Sequence, residues 1–245
     1  MPTSSPLLRI STKMLSERDF FSAFREGFAR PILMLDVIDH SSGRPYIEVS
    51  FMPLGPVAVG TASSNAVEWV RHKHHVKDCR DDFRLDIVAN GPLHFEHAGK
   101  EGVYKTGTAL FVSHAQPHRG FGPHEGSVRN VTVEAATLRS LVANPEDRVG
   151  YPVHPGPALR LLDGYLRSLT SLEEPPPPEL ATVIGVHLLD LVAAALGPTR
   201  EAKEIVAKRG VKAARLRAIL AEIAKRFSDP GFDLDNVAAA RKVIH

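Results

Sequence analysis

The segment from Leu33 to Val133 constrains the fold most, because it is a succession of short β-prone runs, each closed by turn formers. The runs are Leu33–Ile38, Tyr46–Met52, Val57–Ala62, Ala66–Val70, Leu85–Val88, Leu93–His97, Val103–Thr106, Ala109–Val112 and Val128–Val133. Between them lie Ser42-Gly43, Gly55-Pro56, Asn90-Gly91-Pro92, Gly99-Lys100 and Gly122-Pro123. Short strands at this spacing argue for a β-sandwich or barrel rather than for βαβ units. Alternation along them tells which residues share a face, but not which face is inside.

Helical periodicity brackets this β-region. Ser16–Ala29 reads as an amphipathic helix, capped by Ser16, with Phe20, Phe24 and Phe28 at four-residue spacing. Thr137–Ala143 predicts a short helix that closes the β-region. Leu159, Leu162, Leu166 and Leu169 mark a longer helix that begins near Gly156-Pro157. Pro175–Pro178 enforce a break, and Glu179–Leu196 follows as another helix with a wide apolar stripe that includes Ile184, Leu188 and Leu191. Two helices joined by a proline-stiffened link pack as a hairpin. The expected class is α+β: a β-barrel or sandwich, then a helical hairpin, then an incomplete all-α unit.

A chain of 245 residues is long enough for one large domain or two modest ones. Its single cysteine, Cys79, excludes an intrachain disulfide and fits a reducing cytoplasm. Met1–Met14 holds no continuous apolar run, which argues against a secretory leader. Val183–Gly197 is the greasiest stretch, but it carries His187 and Asp190 and falls short of the ~20 residues that span a bilayer. It reads as a buried helix, and no membrane partner is expected. Charge is distributed unevenly: residues 198–245 hold 11 Lys and Arg against 6 Asp and Glu, the rest of the chain 19 against 22. A basic tail on a mildly acidic body suits a tail that meets phosphate.

That tail begins a DNA-reading pattern. Leu216, Ile219, Leu220, Ile223 and Phe227 lie on one face of a helix over Val211–Phe227, which Ser228-Asp229-Pro230-Gly231 ends. Asp233 caps a second helix that turns Leu234, Val237 and Ala238 inward. In a helix-turn-helix the following helix reads the bases, and here Arg241-Lys242-Val243-Ile244-His245 stands in its place.

This order of parts resembles the AraC/XylS family of bacterial transcription regulators, in particular members with an N-terminal cupin-like ligand domain. Three stretches carry the resemblance: SERDFFSAFREGFARPILMLDV at the entry, GKEGVYKTGTALFVSHAQPHRGFGP, which is similar to the cupin second motif, and ARLRAILAEIAKRFSDPGFDLDNVAAA, which is similar to the opening of the family's C-terminal domain. The expected organisation is a cupin-like ligand domain at 1–150, a dimerising hairpin at 151–198, a linker at 199–210 and a truncated DNA-binding domain at 211–245. The resemblance implies ligand-responsive transcription regulation without catalysis or cofactor. The expected partners are a small-molecule effector and a second copy of the chain; DNA is the partner of the intact family, and the incomplete unit here is expected to bind it weakly and without sequence preference at most. The rival readings are a metal-dependent cupin enzyme and a dimerisation-only module that acts on full-length relatives.

Candidate site residues follow. A ligand cavity draws on Trp69, Arg71, His94, Phe95, Phe111 and His118. DNA contact falls to Arg215, Arg217, Lys225, Arg226, Arg241 and Lys242, and the dimer seam to Leu159, Leu162, Leu166, Ile184, Leu188 and Leu191. For the enzyme reading the metal ligands are His72, His74 and His118, since in a strand His72 and His74 share one face. The glutamate that the first cupin motif places after its histidines is replaced by Val76-Lys77-Asp78-Cys79-Arg80, and Arg71, Lys73 and Lys77 repel a cation, so no bound metal is expected. Cys79, beside Arg80 and near Lys77, is either a redox-sensitive or an inert thiol. No nucleophile elbow or phosphate-binding loop is present in the sequence.

Overall fold

The computed structural model describes residues 7–12, 20–78 and 80–199. The chain divides after Thr199 into two units, and all these residues belong to the first. The Ser16 cap, Cys79, nearly all of the linker and the whole basic tail lie outside the described residues. In chain order the elements begin with β1 (Leu8–Ser11), α1 (Phe20–Phe24) with a π-helical extension Arg25–Leu33, β2 (Asp36–Asp39), β3 (Ile47–Leu54), β4 (Val57–Asn65) and β5 (Val67–Arg71). After a 3-10 turn at His75–Asp78 come β6 (Phe83–Asn90), β7 (Leu93–His97), β8 (Lys100–Tyr104), β9 (Ala109–Ser113), β10 (His118–Phe121) and β11 (Glu125–Val133). The remainder is α2 (Ala135–Arg139), a 3-10 turn at Pro145–Arg148, β12 (Pro152–Val153), α3 (Pro157–Thr170) and α4 (Pro178–Leu196).

The strands form two antiparallel sheets. One has seven strands in the order β1-β3-β4-β11-β6-β9-β12, the other five in the order β2-β5-β10-β7-β8. The α+β class is as the sequence predicts, with the β-region an open sandwich. Alternation sorts the faces of the larger sheet. Val88 opposes Val128, Asp86 opposes Asn130 and Arg84 opposes Thr132, all on its inner face. The intervening residues Phe83, Leu85, Ile87, Val131 and Val133 are buried on the other face. β6 is therefore covered on both sides, which explains its nearly continuous burial.

The outer face is covered by the hairpin. α4 packs on β3 and β4, and α3 packs on β4 and β11. Gly185 makes the first contact possible: a Cβ there would fall on the Leu54 carbonyl, so α4 seats on β3 only because that position has none. α3 is tied by an ion pair, Arg129 Nη2 on β11 lying 2.7 Å from Asp163 Oδ1. Pro178 opens α4 at a position where its missing N–H costs nothing. Although α4 is apolar and long enough to cross a bilayer, Ile184, Leu188, Leu189, Val192 and Leu196 are spent in this core.

This packing corrects the dimer assignment. Leu159, Leu162, Leu166, Ile184 and Leu188 are buried within the chain, and Leu191 is half-buried. The stripe faces the sheet rather than a second copy. Other apolar residues stay outside: Leu161 on α3 is 65% exposed, and on α4 Val183 is 49% exposed with Leu180 also exposed.

Elsewhere the structure differs at strand ends. The run read as Leu33–Ile38 starts only at Asp36, because the π-helical turns continue through Pro31 to Leu33 and end at Met34 in a left-handed conformation. Ala66, read as the start of a strand, is a left-handed hinge (φ 44°) between β4 and β5. β1, β10 and β12 lie outside the predicted runs, and β8 begins three residues before Val103.

Candidate functional site

The inner faces of the two sheets do not close on each other everywhere. A cavity of about 210 Å3 lies between them, bordered by β3, β4, β6 and β11 on one side and by β5, β7 and β10 on the other. The π-helical segment supplies Phe28, Ile32 and Leu33 at its edge. Wider turns have a local reason here: Pro31 cannot donate, and Phe24 and Phe28 must both point inward, their rings 5.5 Å apart and Phe24 6.1 Å edge-on to Trp69. Exposed Ile32 and Phe51 mark the mouth.

Most of the wall is apolar, including Phe28, Val49, Trp69, Val88, Phe95 and Val128. Polar side chains also line it, Ser50, Thr61, Ser64, Asn90, Ser127 and Thr132 among them, and the charged and ring groups gather at Arg84, Asp86 and His114, beside Asn130. Arg84 Nε donates to Asp86 Oδ2 at 3.0 Å, and its Nη1 lies 3.3 Å from His114 Nε2. Asp86 is 3% exposed and His114 8%. Burial pushes the Asp86 carboxyl up, with the Arg84 guanidinium acting against it. Burial, and next the charge of Arg84, hold His114 well below the ordinary histidine value. Asp86 Oδ1 and His114 Nδ1 are buried with no hydrogen-bond partner among the described residues.

Beside this pole sits a second buried group. His97 and His118 are opposite one another on β7 and β10, with rings 5.2 Å apart, and His118 stacks 5.7 Å from Phe95 and 5.9 Å from His114. Burial and then Arg84 lower both, His97 to about 4 and His118 well below the usual range. Neither ring nitrogen of His97, nor His118 Nε2, has a partner among the described residues. The cluster is neutral at pH 7.

Of the residues the sequence nominates for ligand, Trp69 and Phe95 line the cavity. The other four lie elsewhere. His118 is buried one step beyond Phe95 on the paired strands. Phe111 is on the opposite face of the larger sheet, stacked 5.2 Å from Phe83 beneath the helical layer, because it pairs with Leu85 rather than with an inward residue. His94 is exposed on the outer face of the smaller sheet, beside Phe121. Arg71 is fully buried as a structural clamp: Nε donates to the His114 carbonyl at 2.8 Å, Nη1 to the Met34 carbonyl at 3.0 Å and Nη2 to Asp78 at 2.7 Å. Burial works against ionised Asp78, but the Arg71 hydrogen bond and the Arg80 N–H outweigh it and hold the carboxyl below its usual range.

The candidate metal ligands are not brought to one point. β5 ends at Arg71, so His72 and His74 fall in a turn rather than a strand, and their rings stack on each other at 5.2 Å and 15°. Stacked rings do not aim their nitrogens at a common point, and His118 groups with His97 and His114 instead. Among the described residues no group of three or more His, Cys, Asp or Glu is placed to hold a metal ion.

Arg84, Asp86, His114 and Asn130 are absent from the sequence-based site. One signal was available. Phe83-Arg84-Leu85-Asp86-Ile87 alternates charged and large apolar residues, and a charged residue repeated on one face of a core strand marks a buried polar pair.

No protein-family model and no curated protein matches this sequence. Among solved structures, the AraC-like transcriptional activator CuxR is similar at a TM-score of 0.62 and 15% identity, over 94% of this chain and 82% of that one. This shows a shared fold. KdgF from Halomonas sp. is 15% identical at a TM-score of 0.30, over 40% of this chain and 86% of that one. A putative ethanolamine utilization protein of Salmonella typhimurium LT2 is 19% identical at a TM-score of 0.28, over 36% of this chain and 70% of that one.

Proposed function

We propose that this chain is a ligand-responsive transcription regulator of the AraC type, whose first unit senses a small molecule in the cavity between the sheets. The observation that carries the reading is the cavity itself: a largely apolar chamber with scattered hydroxyls and amides and a buried Arg84–Asp86–His114 group in which one donor and one acceptor are left for an occupant. The fold shared with an AraC-like transcriptional activator supports it. In this reading the protein is cytoplasmic and acts by binding rather than catalysis. Arg215, Arg217, Lys225, Arg226, Arg241 and Lys242 contact DNA phosphate, and two copies associate through the exposed pair Leu180 and Val183 of α4.

The test is retention of sheared genomic DNA from the organism that carries the chain. Retention falls steeply between about 50 and 200 mM salt and weakens when Lys225 and Arg226 are both changed to alanine. No retention at low salt, or retention indifferent to both substitutions, overturns the regulator reading.

A further inference from the structure

We infer that the cavity takes a compact, largely apolar and uncharged molecule whose one polar head both donates and accepts a hydrogen bond, such as an amide or an alcohol on a single ring. The inference rests on the reading of this cavity as the effector site and adds the chemistry of its occupant.

Size sets the first limit. About 210 Å3 lies below the roughly 300–1,000 Å3 of sites for drug-sized ligands, which favours a body the size of one ring with a short substituent. The walls set the second. Phe28, Trp69, Val88 and Phe95 present hydrocarbon and π surface, which favours an apolar body.

The head follows from hydrogen-bond accounting. A guanidinium only donates, so His114 Nε2, 3.3 Å from Arg84 Nη1, is the acceptor and the proton of the neutral ring sits on Nδ1. That N–H has no acceptor among the described residues. Asp86 Oδ1 is 2.9 Å from Arg84 Nε in the ion pair, but the hydrogen bond of that N–H runs to Oδ2, so Oδ1 keeps lone pairs with no hydrogen-bond donor among the described residues. Both residues line the cavity and are more than nine-tenths buried. An occupant that offers one acceptor and one donor satisfies both, where an empty or purely apolar filling leaves both unmet.

Charge sets the last limit. Arg84 and Asp86 neutralise each other, Arg80 at the cavity edge is 3.2 Å from Asp82, and the buried histidines are neutral. No uncompensated charge is left to meet a charged head, which would be stripped of water without a counter-ion.

Trp69, the only tryptophan in the chain, lines the cavity and reports its filling. The experiment titrates the full chain with benzamide, benzyl alcohol, benzoate and benzylamine, read by Trp69 fluorescence and by the melting temperature. Benzamide and benzyl alcohol bind with Kd below about 1 mM, as expected for ligands of this size. Benzoate and benzylamine bind at least about tenfold more weakly. In Asp86→Asn the Arg84 charge loses its partner, so the order reverses and benzoate binds more tightly than benzamide. Circular dichroism verifies the fold of that variant, and the wild-type series decides by itself if the variant does not fold. A charged probe that binds the wild type as well as benzamide overturns the head chemistry while the cavity stands as a site. If none of the four perturbs Trp69 or the melting temperature, the effector-site reading falls with it.

Discussion

Lowering the pH from 7 to 5 should destabilise this protein through its buried histidines, and His97 gives the scale. Its pKa falls from an ordinary 6.5 to about 4 in the fold, driven first by burial and then by Arg84 and Lys100. The unfolded chain therefore takes up a proton below pH 6.5 that the folded chain refuses until about pH 4. Stability is full above pH 6.5 and is lost as pH falls below it. Linkage over this window gives a loss of about 2 kcal/mol at pH 5 for His97 alone. His114 and His118 are shifted in the same direction and add to it. The salt-bridged carboxylates Asp36, Asp78 and Glu146 have lowered values, so their contribution is lost only from about pH 4 downward. Asp86, raised by burial, has the opposite sign and gains stability as it protonates. A variant isolates the histidine from these other groups. His97→Leu removes two ring nitrogens that have no partner among the described residues, so it is at least as stable as wild type at pH 7. Between pH 7 and 5 it loses about 2 kcal/mol less than wild type. Urea unfolding followed by Trp69 fluorescence at the two pH values measures both. Equal losses in wild type and variant would refute the reasoning.

Arg71→Ala strands the partly buried Asp78 carboxylate and two backbone carbonyls, and should cost about 3–5 kcal/mol in a urea melt. Gly185→Ala drives a methyl into the Leu54 carbonyl and forces α4 off β3, at a cost of about 3 kcal/mol by the same measurement. Leu188→Asp buries a charge in the intrachain core and should unfold the first unit by circular dichroism. Val183→Asp, at an exposed position of α4, should instead leave the fold intact and halve the molar mass seen by light scattering.

The β-region and the hairpin were legible because their signals are periodic. Turn formers spaced the strands, and Leu159 to Leu169 and Ile184 to Leu196 carried the helical repeat. What the stripe packs against was not legible, because an apolar face records that it is buried but not by what; here the sheet consumes it. Faces were lost for the same reason. Phe95 and Phe111 are equally apolar strand residues, and only the register of β6 with β9 sends Phe111 to the helical side. Arg71 and His94 were nominated by residue type, which cannot separate a clamp from a surface ring. The apolar run Leu85–Val88 splits Arg84 from Asp86, so the polar end of the cavity does not stand out in the sequence.

β11 divides two compartments with a partition one residue thick. Asn130 borders the cavity, and its chain neighbour Arg129 holds Asp163 of the hairpin on the far side. Their Cα atoms are joined by one trans peptide, about 3.8 Å. A guest leaning on Asn130 and a helix hanging from Arg129 thus load the same short length of backbone. In the proposed regulator, a shift of that strand would move the cavity wall and the anchor of the hairpin together.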